Sequence, residues 1–127
     1  MLLSTNPYQD VSNFIGFNSY QDIEDQYDSP GCLKDAQVLF AYYSYEDYSG
    51  SSLVIFSKDG KLYEVNGSHC SCYGLEGQWN PEETTFDFIE MRFIENSSYV
   101  FRDNPEPLEI LKNVIMTNAI HEMIVES

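Results

Sequence analysis

Runs of apolar residues without a helical period occupy the middle of the chain and indicate β-strands. Residues 38–45, 51–57 and 62–66 are dense in aromatic and β-branched side chains, a composition typical of strands. Between the last two runs, Lys58-Asp59-Gly60-Lys61 predicts a two-residue type I′ turn, because Asp and Gly tolerate the positive φ that this turn requires. Residues 37–66 are therefore predicted to form an antiparallel meander of three strands.

Helix signals lie on both sides of this meander. Ser19 stands three residues before Asp22, which resembles a capping box and predicts a short, acidic surface helix over residues 20–27. Asn80-Pro81-Glu82-Glu83 and Asn104-Pro105-Glu106 each combine a cap residue, a proline for the first helical position and acids near the positive end of the helix dipole. These two segments predict two further helices.

The spacing of apolar residues supports the helix after Asn80 less clearly than the helix after Asn104. Phe86, Ile89 and Phe93 fall on one helical stripe, although residues 89–93 also alternate as a strand would. We favour the helix. A long amphipathic helix towards the C-terminus is predicted from the apolar positions Leu108, Leu111, Val114, Ile115, Ala119 and Met123. Residues 99–101 are a candidate for a short edge strand.

Strands followed by helices predict an α+β fold. We expect an antiparallel meander of three or four strands with two or three helices packed on one face. A chain of 127 residues is expected to form a single domain. Its predicted parts are an irregular arm with a short helix (1–36), the β-meander (37–66), a loop containing Cys, Gly and Trp (67–80) and a helical part (81–127).

The charge of the chain limits its partners. Lys and Arg number 6 against 21 Asp and Glu, which gives a net charge of −15. This field repels nucleic acid and anionic membranes, since phosphate binding needs clustered Lys and Arg. It attracts a basic protein groove, including one that holds DNA or RNA. The alternative is that the charge only keeps the protein in solution.

The chain start and the apolar runs predict a cytoplasmic protein. Met1-Leu2-Leu3-Ser4 has neither the basic region nor the apolar region of a signal peptide. No apolar run approaches the ~20 residues of a membrane span. In the cytoplasm the three cysteines are expected to be free thiols.

The sequence His69-Cys70-Ser71-Cys72 is the candidate metal site. An imidazole and two thiolates would suit zinc, but a structural zinc site needs four ligands, and only Cys32 and His121 could complete this one. Catalysis by a thiol with His69 as base is disfavoured, because side chains one residue apart in an extended segment point to opposite sides. The alternative is a tightly folded loop with buried thiols and no cofactor.

Three sets of residues are candidates for binding a partner protein. The first is an amphipathic patch of tyrosines and acids, formed by Tyr43, Tyr45, Glu46, Asp47 and Tyr48. The second is Trp79, since Trp is enriched at interaction hot spots. The third is the acidic face that Glu83, Asp87 and Glu90 would form on the predicted helix. The alternatives are ordinary half-buried tyrosines, a tryptophan that covers the core, and acids that only stabilise a helix start.

The run from Gly60 to Thr85, GKLYEVNGSHCSCYGLEGQWNPEETT, resembles a group of small acidic proteins encoded by bacteriophages and prophages. The likeness covers about residues 38–92 and is most specific in the central loop. It implies a phage setting and raises the expectation of a protein that blocks host machinery. It supplies no catalytic residue.

Three functions remain open at this point. No phosphate-binding loop, dinucleotide fingerprint, nucleophile elbow or zinc-protease motif is present, so we do not expect an enzyme. The leading hypothesis is an inhibitor or modulator of a host protein in the host cytoplasm, acting as a nucleic-acid mimic against a basic target. The second is a small metal-binding or thiol-dependent domain. The third is a virion accessory protein, which a homo-oligomer would favour.

Overall fold

The computed structural model describes residues 13–44, 50–70, 74–92 and 105–126, and in the last segment it describes the side chains of residues 106–117. The chain divides into two compact units, residues 1–83 and residues 84–127. That the whole chain behaves as a single domain stays a prediction.

A mixed five-stranded sheet is the central element of the fold. In chain order the elements are β1 (Phe14–Ile15), α1 (Tyr20–Gln26), β2 (Gln37–Tyr43), β3 (Gly50–Lys58), β4 (Lys61–His69), β5 (Glu82–Thr84), α2 (Phe86–Glu90) and α3 (Pro105–Glu126). The sheet order is β1-β2-β3-β4-β5. β1 pairs parallel with β2, whereas β2, β3 and β4 pair antiparallel.

The α+β class and the three-stranded meander are confirmed, but the predicted number and direction of strands are wrong. The sheet has five strands, and one pair is parallel. β1 was missed because it is only two residues long, too short to show alternation, and it lies in the predicted irregular arm. The edge strand predicted over residues 99–101 lies outside the described residues.

The turn between β3 and β4 forms as the sequence predicts. Asp59 has φ 55° and Gly60 has φ 78°, the two positive values of a type I′ turn. Lys58 pairs with Lys61 on either side of the turn. This turn therefore fixes the register of the longest hairpin in the sheet.

Helix α1 is the element that covers one face of the sheet in the first unit. Ile23 is fully buried and lies in one core cluster with Val38, Val54 and Phe56. A bulge shifts the register of β2 between Val38 and Phe40, as one extra residue in a strand does. The helix predicted as a surface element is thus anchored through its few apolar residues.

The segment after Trp79 differs from its prediction. Asn80-Pro81-Glu82-Glu83 does not begin a helix, since β5 occupies Glu82–Thr84 and α2 begins only at Phe86. Thr84 and Thr85 are β-branched and poor helix formers. Thr85 instead caps α2, because its Oγ1 accepts the backbone N–H of Phe88 at 3.1 Å.

In the second unit, α3 begins at Pro105 as predicted. Leu111, Val114 and Ile115 are buried, so the predicted apolar stripe is confirmed over that part. The side chains of Ala119 and Met123 lie outside the described residues, as does Phe93. Within the described ranges, no helix combines the length and the apolar composition that a membrane crossing needs.

Candidate functional site

The outer face of α1 presents carboxylates from a fixed helix. Ser19 caps the helix by accepting the backbone N–H of Asp22 at 3.0 Å. The Asp22 carboxylate in turn accepts the backbone N–H of Asn18 at 2.9 Å, which completes a variant of the predicted capping box. Asp25 is exposed, and so is Asp28, which lies two residues beyond the end of the helix. Because Ile23 holds the opposite side in the core, the acids occupy defined positions.

Neutral side chains, and not cations, hold these carboxylates in place. The side-chain amide of Gln21 donates to Asp25 at 2.9 Å, and that of Gln26 donates to Asp22 at 3.4 Å. Across the described ranges, none of Asp22, Asp25 and Asp28 forms an ion pair with a basic side chain. The negative charge of this face therefore stays available to a partner.

The lysines of the first unit lie beside the β3–β4 turn and in the segment between α1 and β2. Residues 1–83 contain Lys34, Lys58 and Lys61 as their basic residues, and Lys58 and Lys61 flank the β3–β4 turn. Lys34 and Lys58 line an open polar cleft of about 610 Å³ together with Glu24, Asp35 and Asp59. The lysines of this unit are thus set among acids, and the cleft that Lys34 and Lys58 line also includes Gln21 and Glu24 of α1.

The predicted tyrosine patch is only partly described. Tyr43 is half-buried, with its ring 5.2 Å from that of Phe17 in a stacked contact and 5.3 Å from that of His69 in an edge contact. It packs against the core cluster of the first unit. Tyr45, Glu46, Asp47 and Tyr48 lie outside the described residues, so the patch itself stays a prediction.

Trp79 is half-buried in an aromatic cluster. Its ring stacks on Phe56 at 5.7 Å and meets Tyr27 edge-on at 5.1 Å. Phe56 also stacks on Tyr63 at 5.3 Å. Trp79 therefore covers part of the core and still exposes part of its ring, which combines the two interpretations drawn from the sequence.

Gln78 fixes the loop that carries Trp79, and sequence reasoning missed it. The Gln78 side chain accepts the backbone N–H of Ser68 at 2.9 Å and donates to the Ser68 carbonyl at 2.7 Å. It also donates to the Gly74 carbonyl at 2.8 Å. One amide thus binds β4 as a neighbouring strand would. The glycines around it signal a turn, but nothing in the sequence distinguishes Gln78 from a surface glutamine.

The candidate metal residues lie at the end of β4. The predicted loop begins later than expected, because Gly67, Ser68 and His69 belong to the strand. His69 is buried opposite Gly50, and Cys70 is half-buried. Cys72 and the side chain of His121 lie outside the described residues. Among the residues that are described, no three His, Cys, Asp or Glu side chains form a group that could hold a metal ion, so zinc binding stays a prediction.

The acidic face predicted on a helix from Pro81 does not exist in that form. Glu83 is exposed in strand β5, whereas Asp87 is exposed in the first turn of α2 and Glu90 is half-buried at its end. The prediction is wrong because the helix begins after Glu83. The acids nevertheless remain at or near the surface of their own units.

Comparisons with protein-family models, with curated proteins and with solved structures gave no match.

Proposed function

We propose that this chain is a non-enzymatic, phage-type protein that binds a basic host protein in the host cytoplasm and inhibits or modulates it as a nucleic-acid mimic. The observation that carries the proposal is the arrangement of acids on the outer face of α1. This face holds the carboxylates of Asp22 and Asp25 with neutral hydrogen-bond partners, and the exposed Asp28 follows two residues after the helix ends.

Fixed and unneutralised carboxylates are what a mimic of a phosphate backbone requires. A groove that binds nucleic acid is lined with Lys and Arg, and its affinity comes largely from neutralising phosphates. A rigid acidic helix offers the same sign of charge with little conformational entropy to lose on binding. The net charge of −15 also speeds encounter with a basic surface at low salt.

The phage setting of the proposal comes from the segment between Gly60 and Thr85, which resembles small acidic phage and prophage proteins. A small protein that meets host enzymes handling DNA or RNA would block them by occupying their nucleic-acid groove. Defence nucleases of the host belong to this class of target.

Capture from a host lysate tests the proposal. The wild-type chain is expected to retain a basic, nucleic-acid-handling protein, and duplex DNA or RNA is expected to displace it. The variant Asp25→Asn with Asp28→Asn removes two exposed charges and is expected to weaken binding roughly tenfold at low salt, with a smaller effect at moderate salt. Asn suits position 28, where φ is 53°, since Asn adopts this conformation readily.

The matched control is Glu106→Gln with Glu109→Gln. It removes the same number of charges from α3, where Glu106 is exposed and Glu109 forms only a surface ion pair with Lys112 at 3.6 Å. This variant is expected to bind as the wild type does. Equal losses in both variants would reduce the effect to net charge, and capture of no basic protein at either salt concentration would refute the proposal.

A further inference from the structure

A second feature of the first unit is a cleft of about 340 Å³ beside Trp79. Phe56, which is almost fully buried, stacks against both Tyr63 and Trp79. The rings of Tyr63 and Trp79 therefore both rest on Phe56, and both residues are half-buried, so part of each is accessible in the cleft that they line. Pro81 extends the lining. A volume of this size holds one side chain or a small group.

The charged groups around the cleft are two side chains that line it and two acids that follow its lining residue Pro81 in the sequence. Lys58 and Asp59 both line it, and their charges offset each other. The Cys32 thiol also lines it, and burial raises the pKa of this thiol, so it is uncharged at neutral pH. Glu82 and Glu83 follow Pro81 directly, are exposed, and form no ion pair with any cation in the described ranges.

We propose that the Trp79 cleft binds the guanidinium group of an arginine side chain on the basic partner. A guanidinium is planar and weakly hydrated, so it stacks on the faces of Trp and Tyr, while its N–H groups can donate to the carboxylate of Asp59, which lines the cleft. An ammonium group is more strongly hydrated and lacks the planar face. The identity of the partner rests on the function proposed above, whereas the recognition of arginine rests on the cleft.

Trp79 is the one tryptophan in the chain, so its fluorescence reports directly on the cleft. The probes are three short peptides without Trp or Tyr that alternate glycine with arginine, with lysine or with citrulline, the uncharged isostere of arginine. The arginine peptide is expected to change the emission of Trp79 in a saturable manner. The lysine peptide is expected to bind at least several-fold more weakly, and the citrulline peptide is expected to have no effect.

Two substitutions at Tyr63 separate ring stacking from folding. Tyr63→Phe keeps the aromatic face and is expected to bind the arginine peptide as the wild type does. Tyr63→Leu keeps an apolar side chain but removes the face, and is expected to lose most of the binding. Unchanged circular dichroism and urea unfolding would show that both variants are folded. If Tyr63→Leu is destabilised, Glu82→Gln with Glu83→Gln provides a second test through a weaker salt dependence of binding.

The outcomes for the cleft and for the proposed function are distinct. Equal effects of the arginine and citrulline peptides, or full binding by Tyr63→Leu, would overturn the arginine site. If capture of a host protein then still depends on Asp25 and Asp28, the proposed function stands without it. If the arginine peptide binds at the cleft but no basic host protein is captured, the arginine site stands and the proposed function fails.

Discussion

At the scale of single residues, Tyr27 connects the core to the loop that carries Trp79. Its hydroxyl donates to Ser52 at 2.8 Å, and its ring meets Trp79 edge-on. A Cβ at Gly67 would lie 2.9 Å from the same hydroxyl, so any larger residue where β4 passes the tyrosine would force Tyr27 to shift. Burial raises the pKa of Tyr27 to about 12, because a phenolate would lose its hydration there.

Tyr27 is therefore expected to weaken the fold at high pH. Its pKa is about 10 in the unfolded chain and about 12 in the folded chain. The neutral form is favoured in the fold, so its contribution to stability is complete below pH ~10 and is lost as the pH rises towards 12. By linkage the loss is roughly 1 kcal/mol at pH 11. Urea unfolding at pH 8 and pH 11 measures it.

Tyr27→Phe is the control for this pH dependence, because the other tyrosines and the lysines titrate in both proteins. At pH 8 the variant is expected to be about 1 kcal/mol less stable than the wild type, since it lacks the hydrogen bond to Ser52. At pH 11 this difference is expected to shrink or vanish. A constant difference between the two proteins at both pH values would contradict the assignment.

At the scale of elements, side chains protect parts of the sheet edges that short strands leave unpaired. The Tyr20 hydroxyl accepts the backbone N–H of Val38 at 2.8 Å, and the Asn13 side chain donates to the Leu39 carbonyl at 3.2 Å. The Gln78 side chain both accepts the backbone N–H of Ser68 on β4 and donates to the Ser68 carbonyl. Unpaired backbone N–H and C=O groups at a sheet edge can pair with a strand of another chain. These side-chain contacts occupy such groups on β2 and β4 and so oppose that pairing.

The substitution Gln78→Glu tests this role. At neutral pH a carboxylate can still accept the Ser68 N–H, but it cannot donate to the carbonyls of Ser68 and Gly74. Two hydrogen bonds are lost and two acceptors face a negative charge, so the free energy of unfolding is expected to fall by about 1–3 kcal/mol in urea titrations.

Gln37→Glu is the matched control for Gln78→Glu. Gln37 is exposed in β2, and its replacement adds the same charge without removing any side-chain hydrogen bond seen among the described residues. It is expected to change the stability by no more than about 0.5 kcal/mol. If both substitutions had the same effect, the added charge and not the lost hydrogen bonds would be responsible.

At the scale of the whole molecule, the dominant property is the excess of acids. A net charge of −15 on 127 residues opposes the compact state through self-repulsion. In the described ranges, Asp22 and Asp25 of α1 have amide partners and form no ion pair with a cation, so ion pairing does not relieve this repulsion there. The feature that suits a basic partner therefore also destabilises the free protein.

Added salt is expected to stabilise the protein. The Debye length falls from about 30 Å at 0.01 M salt to about 8 Å at 0.15 M, so the melting temperature should rise over this range. The variant Asp25→Asn with Asp28→Asn should melt higher than the wild type at low salt and respond less to added salt. NaCl and choline chloride should act alike if screening is the cause. A melting temperature that falls or stays constant with salt would refute this expectation.

The sequence by itself determined the features that depend on neighbouring residues. The strands of the meander follow from dense β-branched and aromatic runs, the turn from Asp59-Gly60, and the start of α1 from Ser19. The start of α3 at Pro105 belongs to the same group. In each case the preferred backbone angles or a hydrogen bond within a few residues fixes the outcome.

The tertiary structure alone decided what depends on contacts between distant residues. β1 forms only because β2 lies beside it, and Gln78 matters only because Ser68 is within reach. Glu82–Thr84 resembles a helix start but becomes a strand at the edge of the sheet. The cleft at Trp79 joins residues from three separate parts of the chain. Such sites arise from packing and register, which local sequence preferences do not encode.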